Sequence, residues 1–261
     1  MVIDFHTHCF PDKIAERAID KLTHNSALMP YTDGTAKGLL NIMEKDGIDV
    51  SVVLNISTNE KQQSSVNDFA KEINSDKLVS FGSVFPFADD VLEELERIKD
   101  LGLKGVKFHP EYQSFFVDDE RMKPVYKKIS ELGLICVFHA GEDYGYPPPY
   151  HATPERLRRA LSWFDSPVVA AHWGSQNMGE DTLKYLCGTE IYFDTAFGYG
   201  SIPKPIVYEI LEKHGADKIL FASDCPWHAP SMDLFQIDRL DISDTEREKI
   251  KWQNAKKLLN I

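Results

Sequence analysis

Val2-Ile3-Asp4-Phe5-His6-Thr7-His8 opens the chain with an apolar run that ends in two histidines spaced i, i+2. Residues two apart on a β-strand point to the same side, roughly 7 Å apart along the chain. Two imidazoles so placed can tilt onto one metal ion at Zn–N distances of about 2.0–2.1 Å. The first eight residues therefore predict a strand with half of a metal site at its C-terminal end. A lone His-x-His also arises by chance, so the rest of the chain has to decide.

Seven further β-rich runs follow: Val50–Ile56, Leu78–Phe85, Gly105–His109, Leu134–His139, Val168–His172, Ile191–Asp194 and Ile219–Ser223. Most are continuously apolar rather than alternating, the pattern of strands covered on both faces in a parallel sheet. Charged, amphipathic segments separate them. Val91, Leu92, Leu95 and Ile98 recur at helical spacing, as do Val125, Ile129 and Leu132 before the stop residue Gly133. Thr153-Pro154-Glu155 reads as an N-cap and first turn, and Asp244–Leu259 as a final helix. Eight strands alternating with helices predict a (β/α)₈ TIM barrel, with an open doubly wound sheet as the competing fold. No linker, repeat or low-complexity tract divides residues 1–261, so one domain is expected.

Composition narrows the function. The chain has 261 residues, 43% of them hydrophobic and 27% charged, as in globular proteins. A net charge of −12 argues against broad binding to nucleic acid or acidic membranes. No apolar stretch is long enough for a membrane span. Cys9, Cys136, Cys187 and Cys225 are scattered without a C-x-x-C pair, which suggests free thiols. With no secretory signal legible, a cytoplasmic location is expected. The expected partner is a small molecule, and self-association stays open.

In a (β/α)₈ barrel the active site lies at the C-terminal ends of the strands. Here those ends read Lys107-Phe108-His109, Phe138-His139, Ala171-His172 and Ala222-Ser223-Asp224. One histidine after an apolar run is usually a packed core residue. Histidines closing four strands make a site the better reading.

The His6-x-His8 start, the single histidines His139 and His172 and the Ser223-Asp224 step resemble the amidohydrolase superfamily. Lys104-Gly105-Val106-Lys107-Phe108-His109-Pro110 and Asn254-Ala255-Lys256-Lys257-Leu258-Leu259 are similar to its amidohydrolase-related branch, which includes aminocarboxymuconate semialdehyde decarboxylase. The resemblance spans essentially the whole chain and implies one divalent metal, zinc by expectation, on His6, His8, His139 and Asp224. His172 would stand beside the metal-bound water, and Asp224 and His172 would be the catalytic pair. In binuclear relatives a carboxylated strand-4 lysine bridges two ions, so Lys107 leaves a second ion open, held then by His139 and His172.

Hydrolysis of an amide, ester or lactone is the first expectation, since zinc lowers the pKa of bound water to about 7. Non-oxidative decarboxylation of a small unsaturated or aromatic acid is the alternative, and a catalytically silent metal-binding barrel the third. A carboxylate substrate needs a cation: Lys107, or Arg156, Arg158 and Arg159, which also read as a solvated helix face. Lys107, His109, Trp173 and Tyr144 are the candidate substrate contacts. Trp227 adds to an aromatic rim, and the Glu142–His151 loop reads as a wall of the site.

Overall fold

The computed structural model describes residues Met1–Ile261. Eight parallel strands form where the apolar runs lie: β1 Ile3–Thr7, β2 Val50–Leu54, β3 Leu78–Phe81, β4 Gly105–Phe108, β5 Ile135–Phe138, β6 Val168–Ala170, β7 Tyr192–Asp194 and β8 Ile219–Leu220. β1-β2-β3 and β4-β5-β6-β7-β8 are continuous ladders. They join through Gly82, whose N–H donates to Gly105 O (3.0 Å) and whose carbonyl accepts from Lys107 N (2.9 Å). The other seam is closed by Phe5 N to Phe221 O (2.8 Å) and Asp224 N to His6 O (2.8 Å). The seams complete the predicted barrel.

The strands are apolar on both faces because they separate two cores. Fifteen buried residues, among them Ile3, Phe5, Val52, Phe81 and Val137, fill one cluster at the barrel interior. A cluster of 46, including Val106, Phe108, Phe138 and Ile129, packs between strands and helices. Phe108 stacks on Phe138 across neighbouring strands, centroids 5.6 Å apart. At ~25 cal/mol per Å² of apolar surface, burial on both faces is the main stabilisation of such a sheet.

Several boundaries differ from expectation. Strands β2 and β3 stop at Leu54 and Phe81, and His109, His139, His172 and Ser223 lie just past their strands. Two helices, Asp12–Ser26 and Ala36–Asp46, account for the long first unit. Thr153 caps its helix as predicted, accepting from Arg156 N. The last helix is three pieces, Asp244–Glu248, a π turn Lys249–Gln253 and Asn254–Leu259.

Asn254, one of the residues carrying the family resemblance, has a structural task. Its buried Nδ2 donates to Ala216 O (2.7 Å) and Ile219 O (2.8 Å), tying the last helix to the start of β8. Asn254→Ala leaves those carbonyls without this donor and should cost about 2 kcal/mol, or roughly 4–8 °C in Tm. Urea and thermal melts check this; an unchanged midpoint would remove the assigned role.

Candidate active site

A register shift in β1 between Asp4 and Thr7 sets the direction of the opening histidines. Ile3 and Phe5 pack in the interior cluster, so strict alternation would turn His6 and His8 away from it. The shift acts as a bulge and re-aims both imidazoles into the cavity. Asp4 holds the irregularity. Its Oδ1 accepts from His6 N (3.2 Å) and Ser223 N (3.0 Å), and its Oδ2 accepts from Ser223 Oγ (2.6 Å). Burial pushes the Asp4 carboxyl up to about 8, against these hydrogen bonds.

His6 Nδ1 donates to Asp194 Oδ2 (2.8 Å) and His8 Nδ1 to Leu54 O (2.8 Å). Both Nε2 atoms then carry lone pairs, yet they stand 3.1 Å apart. Asp224 Oδ1 lies 3.1 Å from His8 Nε2 and 3.5 Å from His6 Nε2. With those tautomers the three atoms face one another as acceptors, with Lys107 Nζ a donor 3.4 Å from His6 Nε2. A divalent cation resolves that arrangement, and a His₂Asp trio with an open position suits catalytic zinc or a similar ion. Burial would raise the Asp224 carboxyl, but positive charge on the neighbouring imidazoles, with a hydrogen bond from His8, outweighs it whenever they are protonated and moves the carboxyl below its ordinary value. Burial, with Lys107 nearby, pushes the His6 imidazole well below its ordinary value, which favours its neutral form.

Lys107 is buried in the cavity wall, Nζ 3.4 Å from His6 Nε2, with no carboxylate in salt-bridge contact. Burial lowers its ammonium to about 8, opposed by Asp194 and Asp224. His172 Nδ1 donates to Ala196 O (3.2 Å), and its ring lies 5.3 Å from that of His6. His139 sits outside the trio: Nδ1 is 3.0 Å from His172 Nε2, and Nε2 is 3.0 Å from Glu142 O. His109 stacks on it at 4.2 Å, with Tyr112 3.6 Å away on His109's other side.

These groups open into a cavity of about 1280 Å³ lined also by Phe10, Tyr112, Tyr144, Tyr146, Phe197 and Trp227. Tyr144 is half exposed on its rim and accepts from Gln176 Nε2 (2.8 Å). Trp173, expected on the same rim, is 1% exposed and lines a separate side chamber of about 300 Å³. Arg156 and Arg159 bond Asp118 at 2.6 and 2.8 Å, outside the cavity lining. His172, Trp173 and Asp224 adopt left-handed backbone (φ 62°, 56° and 70°). Such conformations cost on the order of 1–3 kcal/mol each and gather at functional sites.

Two participants were not singled out in the sequence. Asp194 is fully buried; besides orienting His6, its Oδ1 accepts from His172 N (2.9 Å) and Ala196 N (3.1 Å). Its signal, a charged residue closing an apolar strand, is the one that marked the histidines. Asp143 Oδ2 lies 3.3 Å from His109 Nε2 and 3.9 Å from His139 Nε2, and a loop carboxylate carries no such signal.

A barrel with imidazoles and carboxylates gathered at its strand ends is an enzyme scaffold with its site where this fold carries its chemistry. The amidohydrolase family model matches residues 3–261, and the chain belongs to that family. Among solved structures it is similar to a 2,6-dihydroxybenzoate decarboxylase complexed with 2,6-dihydroxybenzoate (TM-score 0.76, 16% identity, covering 100% of this chain and 99% of that one). It is similar to an uncharacterized TIM-barrel protein from Bordetella bronchiseptica (TM-score 0.78, 21% identity, 99% and 98% covered). A third is a dihydroxybenzoic acid decarboxylase from Polaromonas sp. JS666 with bound manganese and the inhibitor 2-nitroresorcinol (TM-score 0.73, 16% identity, 99% and 96% covered). No curated protein sequence matches the chain. No helix is long and apolar enough to cross a membrane.

Proposed function

We propose that this enzyme is a metal-dependent carboxy-lyase that removes CO₂ non-oxidatively from a small, planar, unsaturated or aromatic acid. The observation that carries the reading is the buried Lys107 ammonium beside the His6-His8-Asp224 trio, without a carboxylate partner of its own. The trio fits one divalent ion, zinc or manganese. The resemblance adds His139 as a fourth ligand; its ring lies one position outside the trio, which we take as the holder of the ion. Bound there, the ion would supply Lewis-acid polarisation of a substrate oxygen. Lys107 would grip the substrate carboxylate, and His172, whose Nε2 meets His139 Nδ1 at 3.0 Å, would exchange that contact for the reacting group. Tyr112, Tyr146 and Trp227 would hold a flat ring and exclude water.

Hydrolysis, the first expectation from the sequence, is the second reading. Asp224, held ionised between the imidazoles, is its supporting observation, because a general base for water needs that state. The likeness to decarboxylases and the single buried ammonium weigh toward CO₂ loss. The four cysteines are free thiols, which supports a cytoplasmic setting.

A panel of hydroxylated benzoates and unsaturated dicarboxylates, beside lactones and amides, separates the two reactions. CO₂ release is expected from the acids, abolished by a chelator and restored by zinc or manganese. Turnover of lactones or amides alone would transfer the assignment to hydrolysis, and chelator-insensitive turnover would remove the metal from it.

A further inference from the structure

The residue that follows β2 carries an acceptor that the protein leaves unused. Asn55 comes directly after Leu54, whose carbonyl accepts from His8 Nδ1 (2.8 Å). Its side-chain Nδ2 donates to Ser80 Oγ (2.9 Å) and Phe81 O (2.8 Å) on β3. Both amide hydrogens are thereby committed. The amide cannot be turned over, because a backbone carbonyl only accepts and would then face a second oxygen. Oδ1 is left with its lone pairs, and no N–H or O–H of the protein donates to it. Asn55 is 7% exposed and lines the cavity, and Oδ1 is not sealed off from that space.

The neighbours give this acceptor a meaning. On one side β1 brings His6 and His8. On the other, β3 sends no residue to the cavity lining, so the next side chain around the wall is Lys107 on β4. Asn55 therefore lies, in strand order, between the histidines of the trio and the ammonium assigned to the substrate carboxylate. A neutral group suits that place. A carboxylate would compete for Lys107 and repel an incoming acid. A hydroxyl could donate as well as accept, whereas an amide oxygen whose NH₂ is committed accepts only. The two bonds to β3 hold it in position before any ligand arrives, which lowers the cost of binding.

We propose that Asn55 Oδ1 is a specificity-determining contact of this site and accepts a hydrogen bond from a hydroxyl or amino group of the substrate. The inference rests on the reading of Lys107 as the carboxylate clamp. It narrows the substrate to an acid that carries a hydrogen-bond donor in addition to its carboxylate. An acid without that donor, or with the hydroxyl methylated, covers Oδ1 and leaves it without a partner, so it is rejected.

The test uses the metal-loaded full chain and benzoates with a hydroxyl at position 2, 3 or 4, the matching methoxy acids and benzoate itself, with binding read by calorimetry. At one position or more, wild type should bind the hydroxy acid at least about tenfold tighter than its methoxy counterpart and than benzoate. Asn55→Ala should shrink that preference to below about threefold by weakening the hydroxy acid, with benzoate bound as before. Ser80→Ala removes one anchor of Nδ2, keeps Oδ1 and should retain the preference. Thermal melts establish that each variant is folded. Equal weakening of all acids in folded Asn55→Ala, or loss of the preference in Ser80→Ala as well, would assign Asn55 to the β2–β3 tie alone and overturn the contact. A wild type without hydroxyl preference, or a preference that survives Asn55→Ala, also overturns it. Lys107→Met separates the two readings: it should weaken every acid, benzoate included, and leave the hydroxyl preference. Benzoate bound unchanged by Lys107→Met overturns the clamp and not the contact, and a wild type that binds no acid of the series overturns both.

Discussion

Asp224→Asn is expected to abolish ion binding at the inner trio and to lower turnover by roughly 10²–10⁴-fold, the span of a lost catalytic acid–base group. His6 and His8 commit their Nδ1 protons to Asp194 and Leu54 O, so their Nε2 atoms bring only lone pairs. Asp224 supplies the one negative charge within reach of both, at 3.5 and 3.1 Å. An asparagine keeps the shape but removes the charge, and its NH₂ can donate to the lone pairs that a cation would otherwise satisfy. The stripped variant should therefore melt no lower than stripped wild type, while added metal raises the Tm of wild type more than that of the variant. Metal analysis and melts with and without zinc read this without knowledge of the substrate. A variant that binds and responds to metal like wild type would dismantle the inner site.

Lys107→Met should reduce kcat/KM for the acid substrate by about 10²–10³-fold and leave metal content unchanged. Losing one partner of a buried charge pair costs on the order of 2–5 kcal/mol, and each 1.4 kcal/mol is tenfold. Lys107 is 1% exposed and has no carboxylate in direct contact, Asp194 and Asp224 acting on it only from a distance. Methionine fills similar volume without the desolvation cost, so the stripped variant should be at least as stable as wild type. Lactone hydrolysis, if present, should fall far less, because no carboxylate is gripped. Loss of an ion from Lys107→Met would instead show Lys107 to be a bridging ligand, and unchanged kcat/KM would end its role as the carboxylate clamp.

Much of the barrel was legible because a strand buried on both faces needs an unbroken apolar run, and eight such runs are visible. The strand-end histidines were legible because an ionisable residue closing such a run is costly unless it is used or satisfied. Asp194 carries that same signal within Tyr192-Phe193-Asp194, but nothing local pairs it with His6, 188 residues away. Trp173 follows His172 directly, but the left-handed backbone at both turns it into the wall beside the side chamber rather than onto the rim.

The sequence by itself determined the period of the chain, the residue types at each strand end and hence the family, because those depend on local pattern and burial. The tertiary structure alone decided which atoms meet. Strict alternation would face His6 and His8 away from the interior that Ile3 and Phe5 fill, and a bulge held by Asp4 and Ser223 from the far end of the chain reverses this. His139 is set between His172 on one side and Asp143 on the other by loop packing that no spacing rule encodes. Local pattern fixes which side a strand residue favours, whereas convergence within 3–4 Å is a property of the closed barrel and its seams.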